Sequence, residues 1–203
     1  DIEPGAPELW QSARYNQDAA FVSANFNSNL DLFVVVAQTP PDACVDHRIM
    51  TQIERFGVAM RKVDGVKAVQ TLPEVARTIY SIILEGNLKW RVVPRDPSAL
   101  VMATSYIPAE SGLLNKDCTL LPIAIYLDDH RAKTIGSVAA AAAAFARDNP
   151  MEGVSYHFAT GNAAIYGAMN ESIAASEVPA LAIVFGVIAV LVFAAFRDWR
   201  AVV

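Results

Sequence analysis

Cys44 and Cys118 are the residues of this 203-residue chain best suited to do chemistry. Joined, they would close a loop of about 74 residues, worth roughly 4 kcal/mol by the chain-entropy relation, in an oxidising compartment. Two unpaired buried thiols are a second reading. A third comes from CVDH, which sets His47 three residues after Cys44 on one helical face, a spacing that suits two metal ligands, although no convincing fourth ligand accompanies them. His130 and His157 are isolated, and Glu171 and Glu177 stand just before an apolar run, where exposed carboxylates need no special role. GxSxG, HExxH, a Walker loop and paired CxxC are all missing, and no Lys-Ser/Thr follows the glycines of ATGNAAIYG, Gly161 and Gly167. The expectation is therefore a protein that is not an enzyme, with no catalytic, metal or cofactor residue. A net charge of −5, with no basic patch, argues against nucleic acid as a partner.

The element most sharply written in the sequence is the C-terminal run. Val178 to Phe196 holds no charge and no hydrogen-bonding side chain. As a helix it would reach roughly 28 Å, close to the bilayer hydrocarbon thickness of about 30 Å. A buried core helix usually shows a polar stripe or runs shorter, and a cleaved signal peptide sits at the N-terminus, so a transmembrane helix is expected over 178–196. Arg197 and Arg200 follow it while Glu171 and Glu177 precede it, and cations favour the cytoplasmic side. Residues 197–203 are then expected in the cytoplasm and 1–177 outside it, with Trp199 at the interface. Pro179 falls in the first turn of the run, where a missing N–H is least costly if the helix restarts there. The chain stops soon after the span, on AVV, which reads as a fragment of a longer polytopic protein.

Periodicity organises residues 1–177. ELWQSARYNQDAAFVSANF (8–26) reads as a helix leading into the strand NLDLFVVVAQT (29–39). Next, Asp42 can cap a helix whose apolar face is Val45, Ile49, Ile53, Phe56, Met60 and Val63, ending near Asp64-Gly65. VKAVQTL (66–72) completes one βαβ unit. A second comprises the strand 118–128, a helix over 130–149 with alanines at 139–144, and the strand 154–160. Two such units on one antiparallel sheet make an α+β, ferredoxin-like (split βαβ) domain with its helices on one face. There the third strand lies antiparallel beside the first, bringing Cys44 and Cys118 to the same sheet edge. Between the units, residues 73–117 form an insertion that starts helical and continues partly irregular. Its Trp90, Leu100, Val101, Met102 and Tyr106 are too apolar for a solvated linker and should pack on the sheet or on another domain or subunit. GNAAIYGAMNESIAASE (161–177) is expected to be helical and continuous with the span, able to pass motion from one to the other.

Several stretches together resemble a known family: PGAPELW and SARYNQD near the start, PDAC (41–44), EGNLKW with VPR (85–95), GLLNKDC (112–118), ATGNAAIYGAMNESI before the span and FRDW after it. They resemble the large periplasmic loop of resistance-nodulation-division (RND) superfamily exporters, MMPL-like branch. The resemblance implies the second periplasmic loop and eighth transmembrane helix of a twelve-helix, proton-driven permease of the bacterial inner membrane. Its acidic relay residues would lie on membrane helices outside this sequence. The implied partners are the lipid bilayer, the remaining transmembrane helices, and a hydrophobic or amphipathic small molecule or lipid, with a homo-oligomer left open. The insertion and the helix 161–177 are then expected to line the substrate path, with Trp90, Met102, Tyr106, Tyr166 and Met169 as its residues. Two alternatives stay open: a membrane-anchored periplasmic sensor or binding module, and an RND relative that assists protein translocation.

Overall fold

A computed structural model describes residues 12–25, 31–129, 131–160 and 162–197. The chain divides into two units, Asp1–Tyr166 and Gly167–Val203. In the first, a helix α1 (Arg14–Asn25) precedes strand β1 (Leu32–Gln38), helix α2 (His47–Met60) and strand β2 (Val66–Gln70). Helices α3 (Leu72–Ile83) and α4 (Pro97–Thr104) follow, then β3 (Leu120–Leu127), α5 (Ala132–Asp148), β4 (Ser155–Thr160) and α6 (Asn162–Phe196), which continues into the second unit.

Strict alternation in the two inner strands builds the sheet. Phe33, Val35 and Ala37 of β1 are buried, as are Leu121, Ile123, Ile125 and Leu127 of β3, and the register sets Phe33 opposite Ile125 and Val35 opposite Ile123. The buried rows of both strands thus make one apolar face. The order is β2-β3-β1-β4, every neighbour antiparallel. It follows that β1 and β2 run the same way with β3 between them, and β3 and β4 the same way around β1. The α+β class and the four-stranded antiparallel sheet are as expected.

α2 buries Ile49, Met50, Ile53, Phe56 and Met60, and α5 buries Ile135, Val138 and Ala142, all in one core with the sheet. The first turn of α5 approaches the chain entering β2: Gly65, in left-handed backbone at φ +84° just before β2, would drive a Cβ to 2.5 Å from Thr134 on α5. The opposite sheet face, with Val34, Val36, Pro122 and Ala124, is only half-buried.

Three expectations need correction. Asp42 does not cap α2: it sits at φ 61° without a side-chain cap bond, and Asp46 accepts from the N–H groups of Arg48 and Ile49. A 3-10 turn, Ala43–Val45, intervenes, and the Asp42 N–H donates to the Asp117 carbonyl at 3.1 Å. The strand expected over 66–72 ends at Gln70, since Thr71 caps α3 by accepting from the Glu74 N–H and Pro73 fits its first turn. Finally, Pro179 lies inside α6 and not at a restart, so one i→i−4 bond is forgone within a continuous helix.

In the second unit, Val178–Ala195 is long and apolar enough to cross a membrane, with mean hydropathy 2.8 and no residue buried. A helix of this length and composition is a possible membrane span.

Tyr156 of β4 stacks on Phe56 at 4.9 Å, yet its hydroxyl is buried without a hydrogen-bond partner among the described residues. Burial pushes its pKa up from 10.0 to about 12, partly offset by the polar Gln52 side chain nearby, whose Nε2 donates to the Asn149 carbonyl at 2.8 Å and not to the phenol within hydrogen-bond geometry. The folded state thus favours the neutral phenol, and that contribution is whole below pH 10 and lost as pH rises towards about 12. Tyr156→Phe keeps the ring and deletes the orphan oxygen. The variant should match or exceed the parent at pH 7, by up to about 1 kcal/mol, and lose less stability at pH 11. Urea unfolding at both pH values checks this; an equal alkaline loss in the variant would remove Tyr156 as the cause.

Candidate ligand-binding cleft

Cys44 and Cys118 are joined, with S–S 2.10 Å and Cα–Cα 5.6 Å. The bond extends a zipper between the chain leaving β1 and the chain entering β3: the Thr39 N–H donates to the Thr119 carbonyl at 2.8 Å, and the Thr39 hydroxyl to the Cys118 carbonyl at 2.9 Å. Neither thiol is free, so the unpaired-thiol reading falls. The metal reading loses its thiolate as well. His47 faces the Pro94 carbonyl through Nδ1 at 2.9 Å; a carbonyl only accepts, so Nδ1 carries the proton. His157 contacts Gln38 and Ser155 through Nε2. His130 lies outside the described residues. A disulfide is the mark of an oxidising compartment.

A cleft of about 590 Å³ lies between α2, α3 and the segment 90–99. From α2 come His47, Thr51 and Glu54, one turn apart on a single face; α3 brings Arg77 and Tyr80, and the third wall is WRVVPRD. That wall is an anchored strap. Val93 and Pro94 are buried, the Pro94 carbonyl is held by His47, and Asp96 accepts from the Ala99 N–H at 3.0 Å to cap α4. Trp90 closes one end, edge-on to Tyr80 with ring centroids 6.2 Å apart.

Charges around the cleft are unevenly paired. Arg77 donates to Glu54 at 2.7 Å and lies 3.8 Å from Glu74, while Glu74 also pairs with Arg61. These pairs lock α2 to α3. Arg91 and Arg95, exposed at the cleft wall on either side of the buried Val93-Pro94, make no ion pair among the described residues. The cleft therefore offers two uncommitted guanidinium groups beside an aromatic wall.

Of the expected path residues, Trp90 lines this cleft at 47% exposure. Met102 on α4 is 37% exposed and Tyr106 just beyond it 67%; neither lines the cleft. Within the insertion, Leu100 packs into the core, whereas Trp90, Val101, Met102 and Tyr106 are exposed on this chain. Tyr166 and Met169 fall within α6, and their side chains lie outside the described part. His47, Tyr80, Arg91 and Arg95 were not singled out as path residues by sequence reasoning. One signal was available: in WRVVPRD, two arginines four apart bracket an apolar core behind a tryptophan.

Compared with models of known protein families and with curated proteins, the chain matches none.

Proposed function

We propose that this chain is part of a proton-driven exporter of the RND superfamily, MMPL-like branch, in the bacterial inner membrane. Residues 1–177 form its periplasmic substrate-handling domain, of ferredoxin-like, split βαβ type, and α6 carries the chain into the bilayer. The observation that carries this reading is the succession of two β-α-β passages in the order β2-β3-β1-β4, followed in α6 by the apolar stretch Val178–Ala195. The disulfide supports a periplasmic placement. A second support is the half-buried outer sheet face, whose Val34, Val36, Pro122 and Ala124 are apolar where a solvated antiparallel sheet would alternate to polar side chains. Such a face suits a domain that packs against others of the same permease.

On this reading the protein binds and passes a hydrophobic or amphipathic compound and performs no covalent chemistry. With no ionisable residue between Val178 and Phe196, proton coupling belongs to other helices. Deleting the gene should raise cellular retention of at least one hydrophobic compound, and a broad panel with no change would count against export. Reporter fusions after Val203 should read cytoplasmic; a periplasmic readout overturns the orientation.

A further inference from the structure

We propose that the cleft is selective for an amphipathic carboxylate, its head taken by Arg91 and Arg95 and its apolar body laid against Trp90, Tyr80 and Val92. The proposal rests on the substrate-handling reading and adds to it the charge of the ligand.

Electrostatics points to an anion. The chain as a whole carries −5, yet the cleft gathers Arg77, Arg91 and Arg95 against only Glu54 and Asp96. Glu54 is paired with Arg77, and Asp96 caps α4 through one oxygen while keeping its charge, so the lining retains an excess of one positive charge. A guanidinium presents a planar fork that matches a carboxylate with two parallel hydrogen bonds, and neither Arg91 nor Arg95 is ion-paired with an acid among the described residues.

Geometry makes it a built site. The strap between the two arginines is pinned by buried Val93 and Pro94 and by the His47–Pro94 bond. Their backbone positions are thus set before a ligand arrives, and only side-chain freedom is lost on binding. The wall beside them is aromatic and aliphatic, which inorganic phosphate would leave unused. A volume of about 590 Å³ suits one small molecule with a polar head and a short tail.

The test uses one tail with three heads. The full chain, in discs of zwitterionic lipid, is titrated calorimetrically with octanoate, octanol and octylammonium, and heats from empty discs are subtracted. Octanoate should bind saturably, one per chain, at least tenfold more tightly than octanol, and octylammonium more weakly than either. The double variant Arg91→Gln/Arg95→Gln, altered at exposed positions, should lose that tenfold preference with octanol binding unchanged, and Arg91→Lys/Arg95→Lys should keep part of it. Trp90→Ala should weaken octanoate and octanol alike. Octanoate binding no tighter than octanol, absent altogether, or unchanged in the double glutamine variant would overturn the proposal. Failure of the exporter reading is separable: octanoate would still bind while gene deletion changed no compound's retention.

Discussion

Reducing the Cys44–Cys118 bond should lower the stability of the folded domain by about 4 kcal/mol, a shift of roughly 12 °C in melting temperature for a unit of this size. The bond spans 74 residues, and the loop it closes contains α2, β2, α3, the arginine strap and α4. It therefore restrains most of the segment between β1 and β3 in the unfolded chain. In the folded chain the loss is small, because both residues are buried and a reduced cysteine packs as a small apolar group. The Thr39 hydrogen bonds to the Cys118 and Thr119 carbonyls would also remain to hold the zipper. Two measurements separate these contributions. Thermal unfolding with and without reductant should show the full drop, and Cys44→Ala/Cys118→Ala should show nearly the same drop and be indifferent to reductant. An unchanged melting temperature on reduction, with alkylation finding both thiols free, would show that the bond does not form in solution.

What could be read from the sequence follows a physical divide between local and non-local causes. The strands were legible because residue type is a local signal: LFVVVAQ and LLPIAIYL are β-rich apolar runs, the first bounded by Pro40-Pro41, although which rows face the core is decided by the sheet. α2 was legible for the same reason at helical spacing, with Ile49, Ile53, Phe56 and Met60 on its core side. Its cap was misread because Val45 was counted into the apolar stripe, whereas it belongs to the 3-10 turn before α2, so the cap falls to Asp46 and not to Asp42. Asp42 instead donates its N–H to the Asp117 carbonyl, 75 residues along the chain, a contact no local pattern shows. The cleft is more non-local still. Its walls come from positions 47–54, 77–80 and 90–99, and whether an arginine is satisfied depends on which acid the fold delivers to it. Arg77 finds Glu54; Arg91 and Arg95 find none among the described residues. No spacing rule anticipates that difference. Trp90 stood out as one of several side chains too apolar for a solvated linker, whereas Met102 and Tyr106, chosen by the same logic, do not line the cleft.

Phe56→Ala should be the most damaging single substitution in the core, costing about 4 kcal/mol. The ring is fully buried and holds three elements together, stacked at 4.9 Å on Tyr156 of β4 and edge-on at 5.2 Å to Phe145 of α5. Phe145 and Tyr156 also meet edge-on at 6.3 Å, so the three rings close a triangle. Truncation removes the shared vertex. The two surviving rings cannot collapse into the gap without pulling α5 and β4 away from the sheet register, and a retained cavity is what makes such substitutions expensive. Phe56→Leu, which refills most of the volume but forgoes the stacking, should cost about 1–2 kcal/mol. Chemical denaturation of the two variants gives the ratio directly. Equal costs would mean that the aromatic geometry contributes nothing beyond its volume. The consequence reaches the cleft, because α2 carries Phe56 on its core side and Glu54 and His47 towards the strap. Alanine at 56 should therefore weaken octanoate binding at temperatures near its lowered melting point while leaving it unchanged well below, whereas Arg91→Gln/Arg95→Gln weakens it at every temperature.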